Sequence, residues 1–159
     1  MKITITEFVT LDGVSQGPGS PTEDTSDGFA RGGWLVPHLD EQFVRRASEW
    51  LDLADGLLLH GNPVRSVGAL MSKPGRELQI HGSARLGGSL LAAGLVDTVR
   101  LVVALTIIGA GRRLFGHPSD GTGLRLLRHE VTSTGLVLLE YGTIGAPPVG
   151  EYDGVTAFV

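Results

Sequence analysis

The chain has 159 residues, a formal net charge of −4 and no cysteine. One domain is the default at this length, and there is enough chain to bury a core. Charges of both signs are interspersed with no basic stripe, which disfavours nucleic acid and anionic membranes as partners, and the lack of cysteine excludes disulfides, thiolate zinc sites and a cysteine nucleophile.

The N-terminus, Met-Lys-Ile-Thr-Ile-Thr, is too polar and too alternating for a signal peptide, and no run approaches ~18 apolar residues. A soluble, cytoplasmic protein is the expectation. Ile3, Ile5 and Val9 alternate with Lys2, Thr4 and Thr6, the period of a half-buried strand, which stops at Asp12-Gly13. Asp-Gly after a strand is a turn on local grounds. Residues 15–37 hold Gly17-Pro18-Gly19-Ser20-Pro21 and then Asp24, Asp27, Gly28, Gly32 and Gly33, a loop longer than compact domains ordinarily tolerate. Phe29 and Trp34 pin it over something, so it reads either as a lid or as an insert anchored by two aromatics.

From residue 40 to 54, Phe43, Ala47, Trp50, Leu51 and Ala54 share one helical face, with Asp40 and Glu41 where a helix N-terminus favours negative charge. Leu57-Leu58-Leu59 reads as a short buried strand. Asn62-Pro63 is a good helix start, with Val64, Val67, Leu70 and Met71 on the buried face, and Lys73-Pro74-Gly75 ends that helix.

The central stretch begins at Glu77. Leu78 and Ile80 form a short strand ending at Gly82. Ser83 is placed to cap a helix carrying Leu86, Leu90 and Leu91, and Gly94 closes that helix. Residues 99–108, apolar almost throughout, predict a strand covered on both faces. The result is a βαβ unit whose helix N-terminus directs free N–H groups out of the carboxyl end of a strand, where they can hold a phosphate. Beyond it, residues 124–131 and 136–141 are two β-like runs joined by Thr132-Ser133-Thr134-Gly135, a hairpin signal. The tail from Gly145 has no clear period, although Val155 and Phe158 could dock on a neighbouring surface.

Other constellations are sparse. The five histidines, at 38, 60, 81, 117 and 129, have no metal-ligand spacing on a helix. His81, ending its strand, is either a ligand contact or a satisfied structural residue. Arg112 and Arg113 follow Gly109-Ala110-Gly111, where guanidinium groups beside backbone donors suit an anion, or are simply solvated charges. This Gly-x-Gly lacks a third glycine and follows the βαβ unit, so it is no Rossmann fingerprint, and there is no Gly-x-Ser-x-Gly elbow.

Gln79-Ile80-His81-Gly82-Ser83-Ala84, Leu95-Val96-Asp97 and the run from Ile108 to Phe115 together resemble the reductase domain that ends the bifunctional riboflavin-biosynthesis deaminase-reductase. Thr10-Leu11-Asp12-Gly13-Val14 and the loop through Gly32-Gly33-Trp34 look like the stand-alone bacterial members of that family. The resemblance implies an α/β, dihydrofolate-reductase-like fold: a mostly parallel central sheet flanked by helices, with a C-terminal antiparallel hairpin, in a single domain over residues 1–159. It implies hydride transfer from NADPH to a small heterocyclic or sugar-like substrate. By the same resemblance, His81, Gly82, Ser83, Ala84, Arg85, Gly109, Gly111 and Arg112 would contact the cofactor. Thr10, Gly13, Val14 and Trp34 would line the substrate pocket, with Asp12 as an orienting or proton-handling carboxylate. No metal is implied.

One departure stands out. In the family the strand near Leu59 leads into a Gly-Arg-x-Thr-like turn and helix that help hold the cofactor phosphate, then another strand, and here Leu59 runs directly into His60-Gly61-Asn62-Pro63. The chain is several dozen residues short at this point, either deleted there or missing a segment. A second reading, favoured by this gap, is a binder or scaffold that kept the fold without the reaction. Family members commonly pair as homodimers, and residues 101–108 or the hairpin could supply the surface.

Overall fold

The computed structural model describes residues 1–57, 67, 70–115 and 121–151. Six strands form one sheet: β1 (Lys2–Thr10), β2 (Ala54–Leu57), β3 (Glu77–His81), β4 (Thr98–Ala104), β5 (Leu124–Val131) and β6 (Val137–Thr143), in the order β2-β3-β1-β4-β6-β5. Strands β2, β3, β1 and β4 run parallel, β6 is antiparallel to β4, and β5 closes the hairpin. Helix α1 (Glu41–Leu51) covers one face and α2 (Ala84–Ala92) the other.

β1 lies between β3 and β4, and the layers carrying α1 and α2 cover its two faces. Ile3, Ile5 and Val9 enter the α2-side core with Leu78, Ile80, Val99 and Leu101. Thr4 and Thr6, expected to face solvent, are instead buried against the α1 side. There Arg100 bonds Glu77 through both terminal nitrogens at 3.0 Å, reaches Glu140 at 2.8 Å and stacks on Trp50. Burial would raise the Glu77 carboxyl, but hydrogen bonds from Arg100 and Gln79 outweigh it and hold the group below its ordinary value. A buried ion pair persists only when satisfied in this way.

The βαβ unit from Glu77 is present with one refinement. Its two strands are not adjacent, because α2 carries the chain across β1. Several expected boundaries move. The strand read over 99–108 ends at Ala104, and the apolar residues beyond it belong to a loop in which Leu105 and Ile107 are exposed. The helix read over 40–54 stops at Leu51, which is exposed, and Ala54 already opens β2. Asp40 caps α1, accepting the Phe43 N–H at 2.8 Å. Leu58, Leu59, the helix start at Asn62-Pro63, His60, His117 and the tail residues Val155 and Phe158 lie outside the described residues. Val67 is fully buried in the α2-side core, with Leu70 and Met71 against it, as their helical spacing predicts. Among the described residues β2 and β3 pair directly in parallel at this side of the sheet.

The hairpin turns where expected, with the Thr132 N–H on Leu136 O and Gly135 at φ +88°. Arg46, buried on α1, ties this hairpin down through Glu130 at 2.6 Å.

Candidate active site

The connection leaving β1 runs to α1 on one face, while the connection leaving β3 runs to α2 on the opposite face. Neighbouring parallel strands whose connections diverge leave a crevice beyond their carboxyl ends, the usual seat of a ligand in open α/β sheets. A cleft of about 550 Å³ opens at this point. Its floor is Glu7 and Phe8 of β1, one wall is Gly82, Ser83, Ala84 and Arg85, and the other is the loop from Ser15 to Asp27 with Arg112.

The wall at Gly82 is built for close approach. Gly82 has φ +63°, and a Cβ placed there would meet no atom within 4 Å, so it would project into open space. Ser83 occupies the N-cap position of α2, but its hydroxyl makes no capping hydrogen bond, contrary to the expectation from sequence. The first-turn N–H groups of a helix have no intrahelical acceptor, and the positive end of the helix dipole adds to their pull on anions. The strand-turn-helix segment therefore presents uncapped donors to the cleft, geometry that fits a phosphate or pyrophosphate.

Glu7 is the residue that reading the sequence missed. It is 1% exposed, and its Oε1 is buried with no hydrogen-bond partner among the described residues. Burial pushes its carboxyl up to about 8, with the Ser83 N–H pulling partway back. A signal existed: Glu7 stands in the same alternating register as Ile3, Ile5 and Val9, where the pattern calls for an apolar side chain.

The loop and the Gly109–Gly111 turn are tied to each other. Arg112 pairs with Asp24, with Asp27 at 3.0 Å and with the Ser26 hydroxyl at 2.6 Å, while its N–H reaches Gln16 Oε1 at 3.0 Å. The Ser26 hydroxyl and N–H hold Asp24 down at about 2, with Arg112 adding to the effect. A Cβ at Gly111 would lie 2.7 Å from the Phe29 ring, so only glycine lets the loop pack there. Phe29 and Trp34 are both buried in the α1-side core, and the Trp34 indole N–H donates to Gln16 O at 2.8 Å.

Asp12 is a clip. It accepts from Thr10 Oγ1 at 2.6 Å and from the N–H groups of Ile108 and Gly109 at 3.1 and 2.8 Å. Led by the Thr10 hydroxyl and the Gly109 N–H, these bonds hold its carboxyl down at about 2, so it carries no proton to donate at neutral pH. The same bonds occupy the Gly109 N–H that an anion would need.

The cleft thus gathers Gly82, Ser83, Ala84, Arg85 and Arg112 from the sequence-derived site, the last already committed to Asp24 and Asp27. It does not gather Gly109, Gly111, Thr10, Gly13, Val14 or Trp34. Thr10 and Val14 are buried in the turn that Asp12 clips, where the Val14 N–H donates to Thr10 Oγ1 at 2.9 Å. His81 lies on the α1 side of the sheet, bonded to Gln79 Oε1 at 2.8 Å, and burial and then Arg100 hold its imidazole below the ordinary value. Among the described residues no group of acids and histidines is arranged to hold a metal ion, and no helix is long and apolar enough to cross a membrane.

The parallel sheet with a C-terminal hairpin and a switch-point cleft defines a dihydrofolate-reductase-like α/β protein. The chain belongs to the RibD C-terminal domain family, whose model matches residues 39–138. The structure is similar to a putative riboflavin biosynthesis protein from Shewanella, with a TM-score of 0.62 at 16% identity over 91% of this chain and 99% of that one. It also matches the deaminase/reductase of Thermotoga maritima, with a TM-score of 0.62 at 11% identity over 90% of this chain and 56% of that one. Dihydrofolate reductase from Enterococcus faecalis gives 0.55 at 13% identity, over 91% and 96% of the two chains. In sequence, the chain is 28% identical to the Bacillus subtilis protein YyaP over 83 residues, 52% of this chain and 44% of that protein. The match thus spans less than half the length of that relative.

Proposed function

We propose that this protein is an NADPH-dependent reductase that transfers a hydride to a small heterocyclic or sugar-like substrate. The observation that carries the reading is the uncapped N-terminus of α2 opening into the switch-point cleft. Family membership supports it, as does the fold shared with an Enterococcus dihydrofolate reductase crystallised with NADP(H). Gly82, Ser83, Ala84 and Arg85 would hold the pyrophosphate, through backbone N–H groups and one guanidinium. NADPH, when bound, supplies the hydride. The chain's own part is to fix the phosphates at α2 and to keep water from the cleft with the loop that Arg112 braces. Thr10, Gly13 and Asp12 shape the turn beside that loop, and in this reading they set the substrate end of the pocket from behind its surface.

The short β2–β3 connection favours a second reading, a small-molecule binder on the same fold. Thermal unfolding with and without NADPH or NADH separates the two when followed by a screen of acceptors for oxidation of the reduced cofactor. A ligand at ~100 times its Kd adds about 2.7 kcal/mol, so the reductase reading expects a clear upward shift of the melting midpoint with NADPH. No shift with either nucleotide would remove that reading and leave the binder.

A further inference from the structure

An acid beneath an anion site needs explanation. Glu7, with Phe8 part of the cleft floor, lies on the face of β1 that α2 covers, under the N-terminal end of that helix. A Cβ at Gly87, one turn into the helix, would come within 3.8 Å of Glu7 Oε1, which places the carboxyl under that turn. The Ser83 N–H pulls on the carboxyl, while Oε1 has no hydrogen-bond partner among the described residues.

We propose that Glu7 is an internal competitor for the anion subsite at the N-terminus of α2. Protonated, it is neutral and leaves the first-turn N–H groups to a ligand phosphate. Ionised, it draws those N–H groups to itself and repels the ligand. The protein therefore binds its phosphate-bearing ligand with uptake of one proton wherever Glu7 is ionised in the free state. This rests on the reading of the cleft as a pyrophosphate subsite.

The surrounding charges leave Glu7 as the group that switches. Arg85 on α2 and the loop residues Glu23, Asp24, Asp27 and Arg112 line the same cleft. Asp24 is held at about 2 and stays charged throughout. On β4 the register partner of Glu7 is the apolar Leu101. His81 of β3 is the partner of Thr6, faces the opposite side of the sheet, and titrates below its ordinary value. Arg112 is paired with Asp24 and Asp27, so the wall opposite α2 offers an incoming anion little attraction. Neutralising Glu7 is then decisive for binding at α2.

The test is calorimetric titration of the whole chain with NADPH and with ADP-ribose, whose pyrophosphate stays fully ionised, from about pH 6.5 to 9.5. The native chain is expected to bind with constant affinity below about pH 8 and to lose about tenfold per unit above it. Glu7→Gln is expected to keep the low-pH affinity across the whole range. In buffers of different ionisation enthalpy, native binding near the alkaline end should take up close to one proton, a readout that does not depend on the variant folding. Binding with flat affinity, without proton uptake, or with an equal alkaline loss in Glu7→Gln would overturn the competitor role and leave the cofactor reading standing. Failure of both ligands to bind at any pH would bring down the cofactor reading and this proposal together.

Discussion

Glu7 shapes the stability of the fold as well as its ligand site. A carboxyl whose folded value is raised binds a proton in the native state that the unfolded chain has already released, so stability falls as pH rises from about 4.5 to about 8. Glu7→Gln keeps the shape and removes the ionisation. Its unfolding free energy should lose that decline and exceed the native value by on the order of 4 kcal/mol at the alkaline end, measured by denaturant titration at several pH values. Native and variant curves that stay parallel would show that the group is charged in the folded state. Asp12 has the opposite sign. Its contribution is present above the ordinary carboxylate range and is lost as pH falls towards about 2, because three donors hold its charged form.

At the scale of elements, α2 does two things that conflict. Its first turn is left without a side-chain cap, which weakens the helix and frees its donors for a ligand. Ser83→Asp should therefore raise the melting midpoint, by about 1 kcal/mol of stability, while sharply weakening NADPH binding, because the new carboxylate takes the N–H groups and repels phosphate. Thermal unfolding and calorimetry on the same preparation check both signs, and NADPH affinity that survives the substitution would place the phosphate elsewhere. This helix was legible in the sequence because Leu86, Leu90 and Leu91 recur at helical spacing between two glycines. The parallel core strands and the hairpin were legible for the same kind of reason, since alternation and turn residues are local signals. The missing cap was not, because a serine before a helix looks the same whether or not its hydroxyl turns inward. The strand read through Ile108 overran its true end because an apolar run carries no mark of where its pairing partner stops. Arg112 was read as an anion contact since its partners, Asp24 and Asp27, lie more than eighty positions away in the chain. Glu7 was within reach, as an acid in an apolar register.

For the molecule as a whole, the sheet carries two unlike margins. Among the described residues β2 stands at one end over Ala54–Leu57, while β5, at the other, has eight residues and exposes Leu124, Leu126, Leu127 and Val131. Exposed strand margins invite pairing with another chain unless they are short or charged. β5 carries Arg125, Arg128 and Glu130 among its exposed leucines, and on the strength of that apolar share a homodimer through β5 is expected, with light scattering giving twice the chain mass and Leu126→Lys returning it to the monomer. A clean monomer mass for the native chain would end that expectation. The inequality of the margins also governs what kind of assembly is possible. Joining β5 of one copy to the opposite margin of the next would repeat without limit. Joining β5 to β5 about a two-fold axis uses up the long margin of both copies at once. A pair joined in this way would leave neither long margin free, so growth would halt at two subunits rather than continue into a fibre.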